Sequence, residues 1–200
     1  KCNIKAVYNY GGSGRLLNRI LAGHIPDIFI PGSMKWANIL KEKGYIKDYK
    51  SIAYHIPVII TPTGNFKIKS LKDFYKKNNR IVLGSDGVCA IGKVSSAILK
   101  KAGLKKINII AGGITVKHLV MWVSRNNADA SIVWMADALQ CNKECNKIRI
   151  IEIPKKYNCI SIIPVCLMIK HKKKASVYIR HLLNQESRNI FRKHGFKVVR

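Results

Sequence analysis

The residues best suited to bind a ligand form a glycine-rich turn near the start of the chain, Gly11-Gly12-Ser13-Gly14. A strand-like run, Ile4 to Tyr8, precedes the turn, and a helix-like run, Leu16 to Ala22, follows it. Glycines let the backbone approach a ligand closely, and a helix N-terminus offers N–H groups and a partial positive charge. Together with the Ser13 hydroxyl, the turn predicts a small oxyanion site. A serine that only caps the helix explains the same residues without a ligand.

The sequence shows few features of a nucleotide-binding site, a metal site or a catalytic site. The turn lacks the Gly-Lys-Ser/Thr of a P-loop and the spacing of G-x-G-x-x-G. The chain has only 10 acidic residues, and its 6 histidines show no spacing typical of a metal site or a catalytic triad. We therefore expect a binding protein rather than an enzyme, without a cofactor and without a metal ion bound by protein side chains.

The same local pattern recurs further along the chain: a strand, a turn of small residues and the start of a helix. It is found at Val88 to Gly92 and at Gly112 to Thr115. In an α/β sheet such turns lie at the carboxyl ends of the strands, where ligands bind. Several helix N-termini at one place would bind an anion through neutral donors. Turns between strands and helices also need small residues for packing, so the pattern fits both interpretations.

The elements that must position these turns alternate between strand and helix, which predicts an α/β fold with mostly parallel strands covered by helices. The predicted strands are 4–8, 27–30, 54–61, 80–84, 107–111, 130–134, 148–153 and 161–169. The predicted helices include 16–22, 90–102, 175–183 and 186–194, and two more are expected after the capping residues Ser33 and Thr115.

The net charge of +27 would suit nucleic acid, an anionic membrane surface or an anionic small ligand. The lysines are scattered in twos and threes at the ends of elements, and the basic-aromatic motifs of the usual nucleic-acid-binding modules are absent from the sequence. We therefore expect no nucleic-acid partner. No apolar run approaches the ~20 residues of a membrane span.

The 6 cysteines form no C-x-x-C pair and no zinc pattern. Cys141 and Cys145 are spaced C-x-x-x-C in a segment that we expect to be a polar loop, which is weak evidence for a disulfide. Cys159 and Cys166 stand in apolar runs typical of a protein core.

Six segments, taken in chain order, carry a resemblance to a known family: Gly11–Leu17, Asp27–Ser33, Tyr54–Val58, Cys89–Val94, Ala128–Trp134 and Phe191–Phe196. Together they resemble the solute-binding proteins of molybdate/tungstate ABC transporters. The segments extend over nearly the whole chain, and the ordered set is more specific than any one of them.

This resemblance implies a type II periplasmic-binding-protein fold with two α/β lobes, each a mixed, mostly parallel sheet flanked by helices. Lobe I would consist of residues 1–54 plus 163–200, and lobe II of residues 55–162. The crossings between the lobes would fall near Tyr54 to Pro57 and near Ile160 to Pro164. The family's first strand and helix, with an early serine, have no counterpart before Lys1, so lobe I is expected to be incomplete at its N-terminus.

Carried over by position, the resemblance implies that the oxyanion contacts the hydroxyl and N–H of Ser13 and the backbone N–H groups of Ala90 and Val116. Trp134 stands where bacterial molybdate binders have a tyrosine, and its indole N–H is a donor only. Further contacts expected at the same site are Gly12, Cys89, Ile91, Thr115 and Asp86. Asp137 is a second carboxylate that could serve, as in the related archaeal binders.

The function implied by the resemblance is capture of molybdate or tungstate outside the cytoplasm, by a monomer, and delivery to the membrane permease of an ABC transporter. Sulfate, phosphate or another anion is the alternative ligand. The effector-sensing domain of a transcription regulator is an alternative of a different class. Such a regulator needs a DNA-reading module, and no helix-turn-helix segment is visible in these residues.

Overall fold

The computed structural model describes residues 4–86 and 88–199. In chain order its helices are α1 (Ser13–Leu21), α2 (Met34–Glu42), α3 (Ala90–Lys101), α4 (Val116–Ser124), α5 (Met135–Cys145), α6 (Lys173–Leu182) and α7 (Gln185–Lys193). Its strands are β1 (Ile28–Phe29), β2 (Ile46–His55), β3 (Pro57–Pro62), β4 (Ile81–Gly84), β5 (Ile109–Gly113), β6 (Ala130–Trp134), β7 (Ile148–Glu152), β8 (Ser161–Met168) and β9 (Lys197–Val198). A 3₁₀ turn covers Leu71–Tyr75.

The chain forms two compact units. Unit 1 contains the residues up to His55 and from Ser161 onward, and unit 2 is the continuous segment Ile56–Ile160. Each unit has one sheet, with strand order β1-β8-β2-β9 in unit 1 and β5-β4-β6-β3-β7 in unit 2. The predicted α/β class, with sheets flanked by helices, is confirmed.

In unit 1 the strand pairings that the structure describes are all antiparallel. β2 pairs with β8 from Ile46, opposite Met168, to His55, opposite Ser161. An alternation of strands and helices along the chain favours parallel pairing of successive strands. Here β8, from near the end of the chain, lies between β1 and β2 and is antiparallel to both. The mostly parallel character that the sequence predicts is therefore not found among the described strands of this sheet.

Helices cover both faces of the unit 1 sheet because successive side chains of β8 point to opposite sides. Cys166 and Met168 pack with residues of α1 and α2, whereas Val165 and Leu167 pack with residues of α6. Each face thus has its own apolar cluster, and α1 with its glycine-rich turn is fixed against one of them.

Unit 2 holds the larger hydrophobic core. Strands β5, β4 and β6 run parallel, and β3 is antiparallel to both β6 and β7. Side chains with no exposed surface fill its interior, among them Ile59, Ile81, Ile98, Leu119 and Ile132. Because β5, β4 and β6 are parallel, they end at the same edge of the sheet, and the helices that follow them begin there.

Three sequence-based predictions are wrong in detail. Residues 4–12, which include the predicted strand Ile4 to Tyr8, form neither helix nor strand, and Val7 is 92% exposed. None of the described strands pairs with this segment. The segment around Cys141 is helix α5 rather than a polar loop. β2 starts at Ile46, well before the predicted strand at 54.

Candidate functional site

In unit 1 the glycine-rich turn leads directly into α1. Gly12 is the N-cap residue, with φ −61° and ψ 138°, and Ser13 is the first helical residue. The carbonyl of Gly12 accepts the first helical hydrogen bond, from the N–H of Leu16 at 3.0 Å. The interpretation of Ser13 as a capping residue is therefore wrong, since its side chain caps no helical N–H.

The Ser13 hydroxyl forms a hydrogen bond with a second loop, the one that contains Gly32. Its Oγ accepts a hydrogen bond from the backbone N–H of Gly32 at 3.0 Å. A serine hydroxyl has one proton to donate and two lone pairs that accept. Because the bond to Gly32 uses a lone pair, the proton of Ser13 remains suited to donate to an oxyanion.

His55 lies on the other side of Gly32. Its Nδ1 is 3.4 Å from the carbonyl oxygen of Gly32, and the backbone of Gly32 thus contacts both Ser13 and His55. Burial lowers the pKa of His55 to about 4, while the hydrogen bond with Gly32 acts in the opposite direction. The imidazole is therefore neutral near pH 7. Sequence reasoning missed this contact, because Ser13, Gly32 and His55 are far apart in the sequence.

In unit 2 three helices start at the same edge of the sheet. The parallel strands β4, β5 and β6 end at Gly84, Gly113 and Trp134. Helices α3, α4 and α5 begin within a few residues of those ends. Of the residues expected at the site, the structure brings Cys89, Ala90, Ile91, Thr115, Val116 and Trp134 to this edge. Gly12 and Ser13 belong to unit 1.

Glycines allow the loops at this edge to approach one another closely. An ideal Cβ on Gly92 would lie 2.6 Å from the carbonyl oxygen of Gly84, and one on Gly112 would lie 2.6 Å from Ser85 Oγ. Ser85 also donates its backbone N–H to the carbonyl of Gly113 at 2.8 Å. A side chain at Gly92 would push the start of α3 away from the end of β4, because the atoms that it meets are backbone, so this glycine helps to place the helix N-terminus. At Gly112 the Ser85 hydroxyl could rotate away from a new side chain.

The start of α3 presents backbone rather than side-chain groups. Cys89 is the N-cap residue, and burial raises the pKa of its thiol, although the backbone N–H groups of Ile91 and Gly92 act against this rise. Ile91 has no exposed side-chain surface and belongs to the hydrophobic core. Ala90 is exposed. A ligand at this turn would therefore meet N–H donors and a neutral thiol.

The other two helix starts differ from each other. Thr115 caps α4, since its Oγ1 accepts from the N–H of His118 at 3.3 Å. Trp134 occupies the N-cap position of α5 without a side-chain cap and is only 6% exposed, and the N–H of Met135 donates to the carbonyl of Ile56 at 2.8 Å. The first N–H of α5 is therefore already used within unit 2.

Two carboxylates lie near these turns in different environments. Asp86 is exposed in the turn after β4. Asp137 is the only acidic residue in the first turns of α3, α4 and α5. Burial raises the pKa of Asp137, whereas the charge of Lys117 and the backbone N–H of Asp137 lower it. The charge of Asp137 also raises the pKa of Cys89. Asp137, Lys117 and Cys89 are thus electrostatically coupled at this edge.

Across residues 4–86 and 88–199, no three or more His, Cys, Asp or Glu side chains form a group that could hold a metal ion. In the same part of the chain, each helix is too short or too polar to cross a membrane. The starts of α3, α4 and α5 at the carboxyl edge of the unit 2 sheet are suited to hold an anion by backbone donors.

A model of the bacterial extracellular solute-binding protein family matches residues 1–197. The chain belongs to this family. Extracellular solute-binding proteins bind their solutes rather than transform them.

Two relatives of this solute-binding protein are similar over much of its length. One, in Bacillus subtilis, is named as a substrate-binding lipoprotein of an ABC transporter; it is 27% identical over 196 residues, which cover 94% of this chain and 74% of the relative. The other, in Haemophilus influenzae, is named as a binding protein; it is 26% identical over 155 residues, or 76% of this chain. The match spans 62% of the length of the Haemophilus influenzae protein.

Solved structures show the same fold. The substrate-binding domain assigned to a molybdenum ABC transporter of Clostridium difficile is 26% identical, with a TM-score of 0.84 over 99% of this chain and 88% of that domain. The periplasmic molybdate-binding protein of Azotobacter vinelandii has a TM-score of 0.75 at 15% identity, covering 95% of this chain and 86% of its own. The sulfate-binding protein SubI of Mycobacterium tuberculosis also has a TM-score of 0.75, at 11% identity, covering 99% of this chain and 77% of its own. The periplasmic-binding-protein fold is thereby confirmed, while proteins with different solutes share it.

Proposed function

We propose that this solute-binding protein captures a tetrahedral oxyanion, molybdate or tungstate, outside the cytoplasm and delivers it to the permease of an ABC transporter. The observation that carries this proposal is the start of three helices at the carboxyl ends of three adjacent parallel strands in unit 2. Helix N-termini hold anions through N–H groups and the helix dipole. The similarity to the molybdenum-transporter domain of Clostridium difficile supports molybdate or tungstate as the anion.

The proposed contacts combine one hydroxyl with several backbone donors. Ser13 would donate its hydroxyl proton, supported by the hydrogen bond that fixes its oxygen to Gly32. Ala90 and Val116 are the first residues of α3 and α4, where N–H groups point out of the helix. The remaining proposed contacts are Gly12, Cys89, Ile91, Thr115, Trp134 and Asp86. The protein would act as a monomer on a free anion, without nucleic acid.

The first test is the substitution Ser13→Ala. A hydrogen bond to a charged group contributes about 1.5–3 kcal/mol. We therefore expect molybdate affinity, measured by titration calorimetry, to fall roughly 10- to 100-fold. The free energy of unfolding should fall by only about 1 kcal/mol, the typical contribution of the lost hydrogen bond to Gly32.

Ser124→Ala is the matched control. Ser124 is the last residue of α4, and its hydroxyl donates to the carbonyl of Met121 at 3.1 Å, at the opposite end of that helix from Val116. This variant should bind molybdate as the unchanged protein does. Equal affinity in both variants would remove Ser13 from the binding site.

A second test concerns phosphate. Molybdate, tungstate and sulfate are fully deprotonated near pH 7, whereas phosphate retains a proton that needs an acceptor. Leaving such a group unpaired costs about 1–3 kcal/mol. Since the proposed contacts are mainly N–H and O–H donors, we expect phosphate to bind at least roughly tenfold more weakly than molybdate at pH 7. A competition titration measures this ratio.

Asp137 provides the control for the phosphate test, because its carboxylate is the acidic group in the first turns of the three helices. If phosphate displaces molybdate at equal concentration from the unchanged protein but not from Asp137→Asn, Asp137 is the acceptor for the phosphate proton. That outcome would contradict selection against phosphate by the donors. If phosphate at equal concentration also displaces molybdate from Asp137→Asn, the exposed carboxylate of Asp86 is the next acceptor to test, and displacement from Asp86→Asn as well would contradict selection by protonation.

A further inference from the structure

Two cysteines lie one turn apart near the end of α5. Cys141 and Cys145 are four residues apart on this helix, and their Sγ atoms are 3.4 Å apart. Cys141 is 9% exposed, whereas Cys145 is exposed to solvent. Neither is part of a disulfide in this structure. The proposed transport function uses neither sulfur, so this pair has no role at the helix starts described above.

The position of the pair within the helix permits a covalent bond. Side chains four residues apart are neighbours on a helix surface, with Cβ atoms about 5–6 Å apart. A disulfide needs Cβ atoms about 3.5–4.5 Å apart. The backbone must therefore move by about 1–2 Å, and it can do so here because Cys145 is the last residue of α5. Asn146, which follows, is already left-handed, with φ 48° and ψ 37°.

We propose that Cys141 and Cys145 are a redox-convertible pair that closes to an intrahelical disulfide in an oxidising compartment. The oxidant is another disulfide, of a small molecule such as oxidised glutathione or of an oxidoreductase. The family is extracellular, and disulfides persist outside the cytoplasm. This proposal does not depend on which solute the protein binds.

The exposure of the two sulfurs determines the order of the steps. Cys145, as a thiolate, attacks one sulfur of the oxidant, which forms a mixed disulfide and releases the other sulfur as a thiolate. Cys141 then loses its proton to solvent, and its thiolate attacks the sulfur of Cys145 and releases the second thiolate. The two cysteines are oxidised by two electrons, and the oxidant is reduced to two thiols. Burial and the neighbouring Cys145 raise the pKa of Cys141 to about 12, so Cys141 is poorly suited to react first.

The other described cysteines are less accessible to an oxidant than Cys145, because they are buried or half-buried. Cys89 and Cys166 are buried in apolar clusters, and Cys166 lies in unit 1. Cys159 is half-buried and packs against the core of unit 2. Cys2 lies outside the described residues. The contact between Cys141 and Cys145 is therefore the one for which the structure supports a disulfide.

Trypsin provides a direct test, since it cleaves after Arg125, Lys143 and Lys147 and so separates the two cysteines. The whole protein is incubated with oxidised glutathione, alkylated under denaturing conditions and digested. We expect peptides 126–143 and 144–147 to appear as one disulfide-linked species in non-reducing mass spectrometry. After reduction they should separate. The intact protein should lose two alkylatable thiols.

Two variants serve as controls. Cys159→Ser keeps the pair and should give the same linked peptides, whereas Cys145→Ser should give none. Recovery of Cys141 and Cys145 as alkylated peptides after oxidation, or a stable glutathione adduct on Cys145 without the link, would overturn the proposal. A link from Cys141 to any other cysteine would also overturn it.

Discussion

Replacing Gly92 with alanine is expected to destabilise unit 2 and to weaken anion binding at the same time. Alanine in place of glycine normally stabilises a helix by up to about 1 kcal/mol. Here the new Cβ would lie 2.6 and 2.7 Å from the carbonyl oxygens of Gly84 and Ser85, which are backbone atoms and cannot rotate away. Overpacking costs about 1–3 kcal/mol and occasionally more. We therefore expect a net loss of about 1–2 kcal/mol in the free energy of unfolding, because the contacts with backbone atoms place the cost in the upper part of that range.

The same substitution should disturb the proposed contacts of Ala90 and Ile91, because α3 must shift away from the end of β4. Losing two hydrogen bonds to a charged ligand, at about 1.5–3 kcal/mol each, corresponds to a loss of more than roughly 100-fold in molybdate affinity. Chemical denaturation and titration calorimetry measure the two effects. Gly64→Ala is the control, since a Cβ at Gly64 meets nothing within 4 Å. A Gly92→Ala protein with unchanged stability and affinity would show that neither depends on the close approach of α3 to the end of β4.

The second large effect is a loss of stability in mild acid, caused by His55. Its pKa is about 4 in the folded protein, below the value of 6.5 for a solvated histidine, because burial disfavours the charged form. Between pH 6.5 and about 4, the unfolded chain therefore binds a proton at His55 that the folded chain does not. The contribution of His55 to the free energy of unfolding is complete above pH 6.5. It falls by about 3 kcal/mol as the pH is lowered to 4 and changes no further below that pH.

Denaturant unfolding at a series of pH values measures this contribution. In His55→Gln the fall between pH 6.5 and 4 should be smaller by most of that amount, because glutamine does not titrate. His24→Gln, at an exposed position, is the control and should keep the pH profile of the unchanged protein. If the profiles of His55→Gln and the unchanged protein coincide, burial of His55 does not govern acid stability.

The sequence predicted the central part of unit 2 well, for a physical reason. β4, β6 and α3 each contain a clear apolar run, and small residues lie at the end of β4 and at both ends of α3, so local signals are sufficient. Residues 4–8 show the limit of such signals. They look like a strand, but a strand also needs a partner, which a local pattern does not reveal. α5 was missed although Met135-Ala136-Asp137-Ala138-Leu139-Gln140 consists mostly of good helix formers.

The candidate site was predictable to a similar degree. Small-residue turns marked the helix starts of α3 and α4, since those turns must be short and closely packed. The contacts of Gly32 with Ser13 and His55 join three segments that are far apart in sequence, and only the fold reveals them. The same holds for the coupling of Asp137 with Lys117, whose side chains are brought near each other by neighbouring helices.

The position of β8 determines the order in which the two units can be completed during synthesis. Unit 2 is one continuous segment, so all of its strands are available once Ile160 has left the ribosome. In unit 1, β1 pairs with β8, and β2 pairs with β8 and β9, so the earliest strands find their partners among the last. Long-range pairings of this kind form slowly because a large loop must close first. Until β8 and β9 are available, β1 and β2 lack their sheet partners, and the chain's strong positive charge opposes aggregation in that interval.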